Sequence, residues 1–231
     1  MRWDNFRKLW PEKFEDETKI FRAIHPGARI FIGTACSEPQ YLVKAFIDYV
    51  QAYPHAIFDA ELIKVWPLGI GPYTDGKFKE NFRLNSFFVG EGIRDAVNNT
   101  SADYTPAFLS SVPDLIYREI IPIDVALIQT SPPDNVGNMS LGIGVDVAKA
   151  VVENASLVIA QANSNMPHVQ GDGIINIDDV DFIVPRDEAL LEYNNDLTSP
   201  NEISQRIGIH VARIIEDGST IQVGYGSIPN A

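Results

Sequence analysis

"DVALIQTSPPDNVGNMSLGIGVDVAKA", residues 124–150, carries three elements in a row. Asp124 to Ser131 is an almost uninterrupted apolar run, the pattern of a strand buried on both faces of a parallel sheet. It leaves through Pro132-Pro133 into a long loop holding Asp134, Gly137, Ser140 and Gly142, and Gly144 to Ala155 then reads as an amphipathic helix. A second apolar run, "SLVIAQAN" (156–163), follows at once. Strand, helix and strand in that order mark an α/β fold with a mostly parallel sheet flanked by helices. Ligands in such sheets bind beyond the carboxyl ends of strands, which makes the Ser131–Gly142 loop a candidate site; by composition alone it could equally be a structural connection.

Working outward, the same alternation recurs. "ARIFIGT" (28–34) reads as a strand, and "SEPQYLVKAFIDYVQAY" as a helix with Ser37 as N-cap and Pro39 in its first turn. "ELIKVWPL" (61–68) and "LNSFFVG" (84–90) read as strands, "GIRDAVNN" as a short helix, and "ADYTPAFLSSV" as a strand running into a turn or helix. Beyond them come a strand Ile174–Ile177, the strand "DFIVP", a helix in "SPNEISQRIGIHVARII" opened by Ser199-Pro200, and a strand in "TIQVGYGSIP" that opens into glycines. One α/β domain spanning the chain is the expectation.

With 231 residues, 45% of them hydrophobic and 21% charged, the chain has the composition of a folded protein with a full core. Its net charge of -13, with only 18 Lys and Arg, speaks against a nucleic-acid surface. No run approaches a membrane span, and the charged N-terminus "MRWDNFRKLWPEKF" resembles neither a signal peptide nor an anchor. Cys36 is the only cysteine, so no internal disulfide forms and a reducing cytoplasm is the expected compartment.

Several short motifs invite stronger readings. "HVQGDGIINIDDVDF" (168–182) looks like a calcium loop, but the leading ligand positions fall on His168 and Gln170, no helix precedes it, and a turn before a strand is the better reading; no metal is expected. "IGTACSEPQYL" (32–42) places backbone N–H groups where an anion could bind, although a tight strand-to-helix connection permitted by Gly33 and Ala35 is the favoured reading of the residues alone. Nothing near Cys36 marks it as a nucleophile, and Glu91 in "VGEGIR" reads as a solvated loop carboxylate. Gly224-Tyr225-Gly226 could let a backbone approach a phosphate or acyl chain, but the dinucleotide fingerprint is incomplete.

Taken together, "GTACSEPQYLVKAF", "FFVGEGIRDAVNNTSADYTPAFLSSVP", "DVALIQTSPPDNVGNMSLGIGVDVAKA", "GDGIINIDDVDFIV" and "IGIHVARIIEDGSTIQVGYGSIPNA" resemble the acetyl-CoA hydrolase/transferase family, which includes 4-hydroxybutyrate and butyrate/acetate CoA-transferases. The third and fifth segments are the most specific. The resemblance implies a CoA-transferase-like α/β domain. It also implies an activity in which a glutamate attacks an acyl-CoA thioester, forms an anhydride and then a glutamyl-CoA thioester, and passes CoA to an acceptor carboxylate, or to water in a hydrolase. By the resemblance, the nucleophilic glutamate lies after the Gly-x-Gly-x-Ile-Pro segment, in a second half beyond Ala231. Residues 1–231 are therefore expected to be the N-terminal domain, with no catalytic residue of their own.

The same resemblance assigns Gly224, Tyr225, Gly226, Ser227 and Ile228 to CoA binding. It assigns Gly33, Ser131, Pro132, Asp134, Gly137, Ser140 and Gly142 to the cleft wall, on one sheet edge with the CoA segment. At "MPHVQGDG" many members have a Pro-Arg pair, so Val169-Gln170 lacks a basic contact. The implied partners are an acyl-CoA, a small carboxylic acid, the family's C-terminal half and further copies in a homo-oligomer; CoA enters as substrate, with no permanently bound cofactor. Two other readings stay open at this point: a non-enzymatic module that meets a catalytic partner, and a sugar-phosphate isomerase on a related fold.

Overall fold

Apolar residues recurring at every second position decide which face of the sheet each strand side chain reaches. The computed structural model describes residues 2–68, 72–193, 201–224 and 226–231. Along the chain the helices are α1 (Arg2–Leu9), α2 (Glu17–Arg22), α3 (Gln40–Ala52), α4 (Glu91–Asn98), α5 (Val112–Tyr117), α6 (Ala148–Asn154) and α7 (Glu202–Ala212). The strands are β1 (Arg29–Ile32), β2 (Ala60–Lys64), β3 (Phe82–Ser86), β4 (Asp103–Tyr104), β5 (Val125–Thr130), β6 (Asn138–Ser140), β7 (Leu157–Ala162), β8 (Ile174–Asn176) and β9 (Phe182–Pro185). Among the described residues no helix is long and apolar enough to cross a membrane.

Seven strands form one parallel sheet in the order β4-β3-β2-β1-β5-β7-β9. The order runs outward from β1 and then reverses, so β5 lies on the other side of β1, with Phe31 opposite Ala126. That reversal is a topological switch point, where the connections leaving β1 and β5 part to opposite faces and open a crevice. Ile30 and Ile32 face a core with Leu127, Ile159 and the α3 residues Leu42, Phe46 and Val50. Phe31 faces the other way, with Ala126, Ile128, Ile183 and residues of α5 and α6. Each large aliphatic or aromatic side chain fully buried in this way stabilises by about 1.5–3 kcal/mol.

The chain divides into two compact units, Met1–Leu191 and Glu192–Ala231. The first contains the whole sheet, with every strand read there from sequence present at slightly different bounds. Where 84–90 was expected, β3 spans Phe82–Ser86, because the Ser86 hydroxyl donates to Phe88 O at 2.8 Å and turns the chain out of the ladder. Helix α6 begins at Ala148, not near Gly144: a Cβ at Gly144 would lie 2.7 Å from Ser37 Oγ, so that residue belongs to a packed turn. Ser37 is not an N-cap either. It closes a single 3₁₀ turn by donating to Thr34 O at 2.7 Å, and Pro39 occupies the cap of α3.

In the second unit α7 is capped by Asn201, whose side chain accepts from Ser204 N at 2.8 Å; Ser199 and Pro200 lie outside the described residues. Among the described residues of "TIQVGYGSIP" the expected strand does not form. Residues 220–224 have no ladder partner among the described residues, and Ile221 and Val223 are exposed. A strand is stable only when a neighbour takes its backbone groups, whatever its side-chain pattern.

Candidate functional site

Beyond Ile32 the backbone extends the ladder by one bond, Gly33 N to Leu127 O at 2.8 Å, and then turns sharply into α3. A Cβ at Gly33 would lie 3.1 Å from Ser37 O and 3.2 Å from Pro39 Cδ, so the turn closes this tightly only around glycine. Ala35 sits at φ 48°, a left-handed conformation that a non-glycine residue adopts at a cost, typically where surrounding contacts over-determine it. Those contacts come from the residue after next beyond β2: Trp66 N donates to Thr34 Oγ1 at 2.6 Å, and Trp66 O accepts from Thr34 Oγ1 at 3.0 Å and from Ala35 N at 3.0 Å.

The first turn of α3 has an anion on it, and the protein supplies it. Tyr41 N donates to Glu188 Oε1 and Leu42 N to Gln161 Oε1, each at 3.0 Å, while Gln161 Nε2 donates to the same Glu188 oxygen at 2.6 Å. The backbone groups open to a ligand phosphate are thus taken within the protein, Leu42 N by Gln161 and Tyr41 N by Glu188, which follows β9 and acts as a carboxylate at a helix N-terminus.

Beneath this turn lies a fully buried ion pair. Lys64, at the end of β2, and Glu38 are 0% and 1% exposed, and Lys64 Nζ pairs with Glu38 Oε2. The Tyr73 hydroxyl donates to Glu38 Oε1, and Lys64 Nζ sits 4.6 Å from the centre of the Tyr73 ring. Burial holds the Lys64 ammonium below the usual lysine range, against the pull of Glu38. Burial, then the Glu38 charge, drives the Tyr73 phenol well above its ordinary value. Gln129 Nε2 donates to Ser37 O and Glu38 O at 3.3 Å, Asn163 Nδ2 to Gln129 Oε1 at 2.7 Å, and Glu188 N to Asn163 Oδ1 at 3.3 Å. One polar chain therefore crosses the carboxyl ends of β2, β1, β5 and β7.

The loop after β5 forms the other side of the crevice, and it is more ordered than its composition suggested. Ser131, Pro132, Gly137 and Ser140 are buried. Ser131 Oγ accepts from Ser140 N at 2.9 Å and lies 3.3 Å from His168 Nδ1; Ser140 Oγ accepts from Gly142 N and Val169 N, both at 3.0 Å. Residues 138–140 are β6, antiparallel to β8. Asp134 shapes the turn into it by accepting from Val136 N at 2.9 Å and Asn138 N at 2.8 Å. Gly137 and Gly142 adopt positive φ, and a Cβ would strike Ile177 at the first and Met166 at the second. The loop's far end returns to Ser37 through Gly144, so Gly33 and the Ser131–Gly142 loop share one rim.

The acidic stretch that resembled a calcium loop has other work. Asp172 pairs with Lys149, and Asp179 Oδ2 accepts from Asn176 N at 2.8 Å, which closes a capped turn after β8. Glu91 opens α4. Of the proposed CoA segment, Tyr225 lies outside the described residues, Gly224 is exposed coil, Gly226 has φ 137°, and Ile228 is 49% exposed. Ser227 Oγ lies 3.3 Å from Ser204 Oγ on α7. The expectation that Gly224 shares the carboxyl edge with the Ser131 loop assumed a strand leading into it, and residues 220–224 form none.

Sequence reading missed Lys64, Tyr73, Gln129, Asn163 and Glu188. Its available signal was a polar residue late in an apolar strand run: Lys in "ELIKV", Gln in "ALIQT" and Asn closing "IAQAN".

Residues 1–193 match the model of the acetyl-CoA hydrolase/transferase N-terminal domain. The chain is 39% identical, over its full length, to 4-hydroxybutyrate coenzyme A transferase of Clostridium kluyveri, of which it covers 52%. It is 35% identical over 94% of its length to the succinyl-CoA:acetate/propanoyl-CoA:succinate CoA transferase of Fasciola hepatica, covering 44% of that protein. Among solved structures, RipA from Yersinia pestis superposes on 97% of this chain with a TM-score of 0.82 at 27% identity, the match covering 53% of that chain. The chain thus spans about half the length of these relatives.

Proposed function

The chain belongs to the acetyl-CoA hydrolase/transferase family, and from that membership we propose that it is the N-terminal part of a CoA-transferase moving CoA between an acyl-CoA and a small carboxylic acid. The carrying observation is its 39% identity, from end to end, to a 4-hydroxybutyrate CoA transferase. The reaction is a double displacement. A glutamate carboxylate, contributed by sequence beyond Ala231, attacks the thioester carbonyl and expels CoA thiolate, leaving an acyl-glutamyl anhydride. The thiolate attacks the glutamyl carbonyl, releasing the first carboxylate and leaving a glutamyl-CoA thioester; the acceptor carboxylate then runs both steps in reverse.

In this reading the residues of the present chain build one wall of the cleft and supply no nucleophile. Gly33 and the Ser131–Gly142 loop, with Pro132, Asp134, Gly137 and Ser140, form the rim. Gly224 to Ile228, Tyr225 included, lie along the CoA, where two glycines let the backbone approach closely. Glu38, the most deeply buried carboxylate of the rim, is already committed to Lys64 and Tyr73, which supports placing the nucleophile elsewhere. A reducing cytoplasm suits the single, undisulfided Cys36.

The test incubates the 231-residue chain, and the polypeptide of the complete reading frame, with acyl-CoA and a free carboxylate, followed by borohydride and peptide mass analysis. The longer polypeptide is expected to exchange CoA and to carry a modified glutamate beyond residue 231, and the shorter to do neither. Turnover by the short chain with the modification at Glu38 or Glu91 would overturn the assignment.

A further inference from the structure

The segments that follow β1, β5 and β7 at the crevice are 33–38, 131–144 and 163–173, and His168 is the one basic residue in them. Lys64, beneath, is buried and committed to Glu38. The chain after β7 is fixed so as to place the His168 ring. Met166 N donates to Asn163 O at 3.0 Å, the Met166 side chain occupies the space a Cβ at Gly142 would take, and Val169 N donates to Ser140 Oγ at 3.0 Å. Ser131 Oγ donates its single proton to Pro132 O at 3.2 Å and accepts from Ser140 N at 2.9 Å. Its remaining lone pair therefore takes Nδ1–H of His168, 3.3 Å away, which leaves Nε2 as the nitrogen that gains or loses a proton. The residue is exposed, and among the described residues Nε2 has no hydrogen-bond partner.

With Nδ1–H on Ser131, a neutral ring turns the Nε2 lone pair outward and repels an anion, whereas a protonated ring donates from Nε2. The charges around it have other partners. Asp134 of the rim loop acts on the ring, but its oxygens accept from Val136 N and Asn138 N. Asp172, further along the same segment, pairs with Lys149 of α6, and Asp187 after β9 accepts from Ser164 N at 2.7 Å. We propose that protonated His168 donates Nε2–H to the carboxylate of the acid that exchanges CoA, so that this acid binds well in mildly acidic solution and poorly above neutral pH. The inference deepens the CoA-transferase reading, on which it rests, by naming a group that holds the second substrate. One singly charged ring suits one carboxylate; the phosphates of CoA call for clustered cations, which these segments lack.

Equilibrium binding of butyrate and steady-state kinetics, both on the polypeptide of the complete reading frame, test this from about pH 6 to about pH 8, where a carboxylic acid stays ionised. Across that range the parent is expected to lose affinity for butyrate, and to raise its KM for it, on the order of 10-fold, with the KM for acyl-CoA unchanged. His168→Arg, charged throughout, is expected to bind butyrate equally at both ends of the range, and His168→Gln to bind it weakly at both. Because the side chain is exposed, both variants are expected to keep the parent's melting temperature. Butyrate binding independent of pH in the parent, or the same pH dependence in His168→Gln, would overturn the proposal. A change confined to the KM for acyl-CoA would overturn it as well, by assigning the ring to a CoA phosphate. Binding with this pH dependence but no CoA transfer would keep the contact and remove the activity; transfer with pH-independent binding would do the reverse, so the two readings fail separately.

Discussion

Lys64 and Glu38 show how a single residue can carry more cost than its surroundings advertise. Removing two charges from water is expensive, and their attraction offsets that cost only while both are present. Lys64→Met alone, which strands the Glu38 carboxylate, is expected to cost about 3–5 kcal/mol in urea denaturation. The triple replacement Lys64→Met, Glu38→Leu, Tyr73→Phe removes every member of the cluster and is expected to return within about 1 kcal/mol of the starting stability. A single variant as stable as the parent would show that the pair is not desolvated. Nothing in the sequence announced this pairing: Lys64 reads as one polar residue in a strand, and its partner lies 26 positions earlier, on the other side of α3 in the chain. Gly33, in contrast, was legible, because a strand can run directly into a helix only through small residues that let the backbone fold back on itself.

Helix α3 shows what an element takes from distant chain. Its cap residue is a proline with no side-chain acceptor, and its first amides are satisfied by Glu188 and Gln161. Glu188→Gln keeps an acceptor but removes the charge from the helix N-terminus, and is expected to cost about 0.5–1 kcal/mol. Glu188→Ala also leaves Tyr41 N without its partner, and is expected to cost about 1–3 kcal/mol by thermal or chemical denaturation. Equal stability of both variants would show that water replaces the carboxylate. Sequence periodicity found α3 and the strands because burial stamps its spacing on local residues. It misplaced the cap at Ser37 and read β6 as irregular loop, since a remote carboxylate decides the first and pairing with β8 the second.

The whole molecule depends on its first unit. Both hydrophobic cores are built from residues no later than Val184. A polypeptide ending at Leu191 is therefore expected to unfold cooperatively, with a melting temperature within about 5 °C of the 231-residue chain. Loss of the cooperative transition would show that residues 192–231 hold the sheet together. The α/β class was legible from the alternation of runs; the lack of a ladder at residues 220–224 was not, because side-chain pattern tells which residues suit a strand and is silent on whether a neighbour exists to pair with it.

The strand order also sets a timetable. β1 finds β2 after a crossover of one helix, but Phe31 meets Ala126 only after almost a hundred intervening residues. The loop-closure entropy of that meeting must be met before the contact rewards it, so the β1–β5 seam is the slow, non-local part of the sheet. On a ribosome the strands β1 to β4 can pair while β5 is still unsynthesised, and through that interval the inner edge of β1, with its unpaired N–H and C=O groups, stands open. The crevice proposed to hold the chemistry thus lies at the most non-local seam of the sheet and, in the nascent chain, at an edge left open until β5 is made.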